Sequence, residues 1–190
     1  LADRPRRPAR FLVLGSASPE LLRQSSETLA GRIAFLELAG FSLDEVGVDR
    51  LTRLWLRGGF PRSFLSRSDA ASAGWRGDFI RTFLERDLPQ LGIPIGAIAM
   101  RRFWSMLAHY HGQTWNSSEL ARAFGVSDTT TRRWLDLLAA TFMVRLLPAW
   151  SANIAKRQVK AARVYVADSG LLHSLLGIET ASALEGHPKI

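Results

Sequence analysis

The stretch Trp115-Asn116-Ser117-Ser118-Glu119-Leu120-Ala121-Arg122-Ala123-Phe124-Gly125-Val126-Ser127-Asp128-Thr129-Thr130-Thr131-Arg132-Arg133-Trp134-Leu135-Asp136-Leu137-Leu138 decides the reading of the chain. Asn116 stands three residues before Glu119, which is capping-box spacing with Asn as the cap. Leu120 and Ala121 then fall inward, and Ala121 has to be small where two helices cross closely. Gly125 supplies a turn, and Ser127 caps a second helix running to about Thr141. Thr131, Leu135 and Leu138 follow at i, i+4 and i+7 and predict the core face of that helix. A small residue, a glycine, a cap and apolar anchors at this spacing specify a helix-turn-helix. Its second helix turns Asp128, Thr129, Arg132, Arg133 and Asp136 outward. Thr129 or Arg132, near the helix start, is placed to meet base edges, and Arg133 to meet a phosphate.

Residues 98–110 predict a supporting amphipathic helix, with Phe103, Trp104, Leu107 and Tyr110 inward. Beyond the second helix, residues 143–147 and 163–166 read as strands, and the stretch between them carries Lys156, Arg157 and Lys160. That is the layout of a winged helix with a basic wing. The net charge is +8, and residues 100–163 hold ten basic side chains against the three acids Glu119, Asp128 and Asp136. So concentrated a positive field suits a polyanion such as DNA. The arginine bias itself says less. Lysine occurs only at Lys156, Lys160 and Lys189, and GC-rich codons produce such a ratio without selection for function. Asp128 and Asp136 would face the phosphates with the wrong sign, so a winged helix used only for protein packing stays open, as does a solvated surface.

Towards the N-terminus, residues 11–15 form a short apolar run ending on glycine, and residues 33–38 form a second. Between them Ser18, Pro19 and Glu20 start a helix that runs to Leu29 and ends at Gly31. Runs apolar on both alternating faces read as strands buried on both sides, and two strands cannot bury themselves. The expectation is the tail of a parallel sheet whose first half is missing from the chain. The turn at residues 15–18 reads either as a plain capped turn or as a nucleotide contact at a strand end. Residues 51–56 predict a short helix broken by Gly58-Gly59 and restarted at Pro61. Residues 75–88 predict a strong helix, with Arg86 either in a surface ion pair or in a directed role. Gly92 and Pro94 mark a boundary, and Asp168-Ser169-Gly170 reads as a turn.

Several classes drop out. With no cysteine there is no disulfide scaffold, thiol nucleophile or cysteine-ligated zinc. The apolar run at residues 137–144 is far short of the roughly 20 residues a membrane helix needs. The first ten residues hold four arginines and two prolines and lack the apolar stretch of a secretory signal, so a cytoplasmic protein with no membrane partner is expected. His109 and His111, two apart, fall on different helix faces and do not pair on a metal. GxGxxG, GxxxxGK[ST] and GxSxG do not occur, and no complete active site assembles.

Taken together, residues 11–18, 31–38, 58–61, 79–91 and 103–112, the helix-turn-helix, and residues 164–170 followed by Leu171-Leu172-His173 resemble the prokaryotic AAA-type ATP-binding family. In that family a P-loop ATPase domain precedes a winged helix and a C-terminal nuclease-like domain of unknown function. The resemblance implies an α+β, mostly helical fold: a remnant of a parallel P-loop ATPase sheet (1–50), a helical lid or linker (51–97), a winged helix-turn-helix (98–170) and the start of a truncated C-terminal domain (171–190). It implies that Ser16 senses the γ-phosphate and that Arg86 is a lid or sensor-like arginine. The parent would use ATP and Mg²⁺, pack against its own missing N- and C-terminal domains, and form a homo-oligomer. The phosphate loop would lie upstream of Leu1, so this chain alone is expected to hold no cofactor and to be inactive. In this reading the sensor strand and lid couple nucleotide state to the winged helix; the alternatives are a stand-alone winged-helix DNA-binding regulator and a module for protein packing alone.

Overall fold

A computed structural model describes residues 14–15, 34, 36–91, 95–150 and 161–187. Helix α6 (Ala97–His109) is the wall on which the rest is built. Met100, Phe103, Trp104, Leu107 and Ala108 recur along it at three- and four-residue spacing, and all are buried. Its apolar stripe serves two sides at once.

On one side lie α1 (Leu43–Val46), a 3₁₀ turn (Val48–Arg50), α2 (Leu51–Arg57), α3 (Pro61–Phe64) and α4 (Asp69–Thr82). A π-type turn (Phe83–Asp87) continues α4 into α5 (Leu88–Gln90). Ser68 starts α4 by accepting the Ala71 N–H on its Oγ at 3.1 Å. Phe83 meets Trp104 edge-on at 5.4 Å, and Phe79, Trp75 and Phe60 extend that row of rings.

On the other side Phe103 meets Trp115, Phe124 and Trp134 edge-on, at 6.4, 5.8 and 5.3 Å. Each such pair adds about 0.5–1.5 kcal/mol beyond the area it buries. Trp134 belongs to α8 (Asp128–Ala140), and Phe124 ends α7 (Ser117–Phe124). The Asn116 carboxamide oxygen accepts the Glu119 N–H at 3.3 Å, and Ser127 Oγ accepts the Thr130 N–H at 3.2 Å. Between the two helices Gly125 sits at φ +65°, the left-handed region that lacks a steric penalty only for glycine. Thr131, Leu135 and Leu138 are fully buried, as their spacing predicts.

Strand β1 (Val144–Leu147) pairs antiparallel with β2 (Arg163–Val166), Val144 facing Val166. The outer edge of β2 pairs with residues 112–115. Gly112 N–H donates to the Val164 carbonyl (2.8 Å), Val164 N–H to that of Gln113 (3.1 Å), and Trp115 N–H to that of Ala162 (2.8 Å). Helix α9 (Ser169–Leu176) follows, and α10 (Ala181–Glu185) closes on α2 through Leu184, Ile178 and Leu56.

The mostly helical α+β expectation holds. The parallel sheet does not: among the described residues the sheet is the two-stranded antiparallel one. Residues 36–38 form no strand, and Leu36 and Leu38 are 91% and 97% exposed. Among the described residues the apolar run there finds no ladder to join. Most of residues 11–33 lie outside the described residues. Asp168-Ser169-Gly170 is not a free turn but the start of α9, with Asp168 as its cap. Helix α4 begins six residues earlier than its apolar spacing suggests, because Gly74 and Gly77 interrupt the pattern. Tyr110 is only half-buried. Leu171 and Leu172 pack into the same core as α4, α6 and α8. No helix among the described residues is long and apolar enough to cross a membrane.

Candidate functional site

Two clusters of charged groups, of opposite character, stand out among the described residues. The first is the outer face of α8. Asp128, Thr129, Arg132, Arg133 and Asp136 are all exposed, while Thr131, Trp134, Leu135 and Leu138 carry the helix into the core. Arg132 Nε donates to both carboxylate oxygens of Asp136, at 3.0 and 3.2 Å. Asp128 accepts from Ser118 Oγ at 2.7 Å, which ties the start of α8 to α7. Thr129 Oγ1 shares a hydrogen bond with Ser127 Oγ at 2.7 Å. Arg133 makes no ion pair among the described residues. Arg102 of α6 lies over the Phe124 ring, 5.8 Å from its centre, and adds a cation near the end of α7.

A groove of about 540 Å³ runs beside this face, lined by Tyr110, Thr114, Trp115, Asn116, Ser117 and Arg132 among others. The Tyr110 hydroxyl donates to the Thr114 carbonyl at 2.8 Å. Burial and the Glu119 carboxylate push its pKa up, so it stays a neutral donor.

The second place is a buried junction between the α2–α3 elbow, α4 and the start of α9. The Asp168 carboxylate accepts the Gly59 N–H at 2.7 Å and the Leu171 N–H at 2.9 Å. Gly58 (φ +77°) and Gly170 make this approach possible. A Cβ on Gly58 would strike the Asp168 carboxylate, and one on Gly170 would strike the Arg57 carbonyl. Arg57 donates to Asp69 (2.7 Å) and to the Ser66 carbonyl (2.6 Å). Arg76 donates to Ser72 (2.7 Å) and Ser174 (2.9 Å), and its Nη2 is buried with no hydrogen-bond partner among the described residues. His173 Nδ1 lies 3.2 Å from the Leu56 carbonyl. Burial pushes the Asp168 pKa up against the opposing pull of three backbone N–H groups and Arg76. Burial also pushes the pKa values of Arg76 and His173 down. Most of these polar atoms are engaged in joining segments, so the junction is architecture first.

Of the residues singled out from the sequence, Thr129, Arg132 and Arg133 share one exposed face. Ser16, Lys156, Arg157 and Lys160 lie outside the described residues. Arg86 is exposed, with its Nε 4.0 Å from the neighbouring Asp87. Sequence reasoning missed the junction. Its visible traces were the Gly58-Gly59 pair and Asp168-Ser169-Gly170, each read as a turn and not as a docking point. No group of three or more metal-ligating side chains occurs among the described residues.

Comparison with known proteins places the chain. Residues 48–182 match a family described as a domain of unknown function, DUF8612. The uncharacterized protein Rv2008c of Mycobacterium tuberculosis and the uncharacterized protein Mb2031c of Mycobacterium bovis are each 55% identical to it over 190 residues. The match takes in 100% of this chain but 43% of either relative, so the chain spans less than half their length. No solved structure matches. The resemblance to AAA-type ATP-binding proteins is thereby corrected, since the family found is a different one and nothing in the matches indicates an ATPase or a winged-helix family. The sensor roles of Ser16 and Arg86, and the ATP and Mg²⁺ expected of the parent, rested on that resemblance, and the matches do not bear on them. The chain belongs to the DUF8612 family.

Proposed function

We propose that residues 98–166 form a helix-turn-helix with an adjoining β-hairpin that presents α8 to duplex DNA. One observation carries the reading: the outward residues of α8 fall at i, i+1, i+4, i+5 and i+8, a single exposed face on a helix whose opposite face is in the core. Thirteen residues make a helix of about 20 Å, and the major groove, roughly 12 Å wide, admits one. Arg133 is placed for a phosphate, and Thr129 and Arg132 for the groove. The excess of basic residues across 100–163 supplies the long-range attraction.

A protein-packing surface is the second reading, favoured by Asp136 neutralising Arg132 and by Asp128 at the helix start. Fluorescence anisotropy with a labelled duplex separates the two. DNA binding predicts that Arg132→Ala with Arg133→Ala weakens affinity at low salt. The double substitution should also flatten the salt dependence, by up to about 0.9 in slope for each phosphate no longer neutralised. An affinity unchanged by both substitutions leaves the packing reading.

A further inference from the structure

The ladder on the outer edge of β2 ends on a side chain. Three of its bonds, at Ala162 and Val164, are backbone to backbone. At the next rung the Val166 N–H donates to Nδ1 of His111, at 3.1 Å, where a strand would offer a carbonyl. The ring stands edge-on to Tyr165 with centres 5.2 Å apart and is half-buried. To accept this bond, Nδ1 must carry no proton. An imidazolium has two donors and no acceptor, so protonation and the rung exclude each other.

We propose that His111 is a pH-operated clasp, which on protonation releases the end of β2, and with it the entry to α9, from the end of α6. The surroundings give a cation little relief. Arg163 of β2 donates to the Gly112 carbonyl at 3.3 Å, and α6 itself contributes His109 and Tyr110. His173 on α9 interacts unfavourably with charge on His111, on Arg76 of α4 and on His187. Asp168, the carboxylate at the end of the same segment, already accepts from Gly59 and Leu171. Burial holds the His111 pKa below its ordinary value.

His173 works in the same direction. Its Nδ1 faces a carbonyl and must be the donor, which leaves Nε2 bare and buried without a partner among the described residues. A second proton there would add an unsatisfied N–H beside Arg76. Val166 and His173 lie on one continuous segment, so acid removes the Val166 rung and charges a buried ring seven residues on, while the Nδ1–H bond to the Leu56 carbonyl stays in place.

Amide exchange followed by NMR on the whole chain tests this. The protection factor of Val166 should fall about tenfold for each pH unit below about 6.5, until the bonded ring itself titrates. The Leu135 amide, in the core of α8, should keep its protection. In His111→Asn the carboxamide oxygen replaces Nδ1 as acceptor, and Val166 protection should not change with pH. Constant Val166 protection in the wild type from pH 7.5 to 5.0 overturns the clasp. So does an equal fall in the Asn variant, or a parallel fall at Leu135. If the variant does not fold, the wild type decides: a fall in Val166 protection that levels off at the measured pKa of the His111 ring upholds the clasp, and a fall that runs on below that pKa, or a His111 pKa at or above about 6.5, sinks it.

Discussion

Around the α2–α3 elbow, Arg57 and Arg76 are 8% and 1% exposed and are held by serine hydroxyls, carbonyls and Asp69. On α8, Arg132 and Arg133 stand in solvent, and the contact made by Arg132 is an i, i+4 pair with Asp136. The residue type is the same and the physics differs. A buried guanidinium depends on the groups around it, because an uncompensated buried charge costs several kcal/mol, and here most but not all donors are matched, Arg76 Nη2 being the exception among the described residues. An exposed one holds its place for a few tenths of a kcal/mol and keeps its charge available to a partner. The contrast separates what builds this protein from what it offers to others.

Substitutions should therefore divide by region. The largest effect belongs to Gly170→Ala, whose new Cβ meets the Arg57 backbone carbonyl, which cannot swing aside as a side chain could, and Cδ of Arg76. Urea unfolding should show a loss of about 3 kcal/mol or more. Stability near that of the wild type would mean the elbow can shift, and the junction would no longer be rigid.

Asp168→Asn comes next. The carboxamide can accept from one of Gly59 and Leu171 but turns its NH₂ on the other. A loss of about 1–3 kcal/mol is expected by the same measurement.

Acid provides a third contrast. His111 and His173 both have folded-state pKa values lowered by burial, so their contribution to stability is complete above about pH 6.5 and is lost as pH falls through the lowered values. Asp168 acts with the opposite sign. Its raised pKa makes the ionised form a cost at neutral pH that eases as pH falls through the raised value towards 3.8. Thermal unfolding should thus show Tm dropping between pH 7.5 and 5.5, with a smaller drop in His111→Asn. A Tm flat across that window would count against both buried imidazoles.

The smallest stability effect belongs to Arg132→Ala, which should stay within about 0.5 kcal/mol of the wild type.

How much of this was legible beforehand follows the same divide. Helix α8, its cap Ser127, the Gly125 turn and the buried triplet Thr131, Leu135 and Leu138 could be read because their determinants lie within a few residues of one another. The strand at residues 163–166 was legible for the same reason. The junction was not. Asp168 caps a local helix and also accepts from Gly59, 109 residues away, and no local pattern encodes the second bond. The apolar run at residues 33–38 misled because alternation cannot say whether a neighbouring strand exists. Gly74 and Gly77 hid the first turns of α4, where Ser72 and Arg76 serve the junction and not the apolar face.

The central claim is that the face of α8 meets a polyanion, and Asp136→Asn tests it most directly. The substitution removes a negative charge that faces the DNA and frees Arg132, so DNA affinity should rise at every salt concentration measured. A gain of this kind cannot come from misfolding. Affinity that falls or stays unchanged, in a variant as stable as the wild type, would contradict the claim.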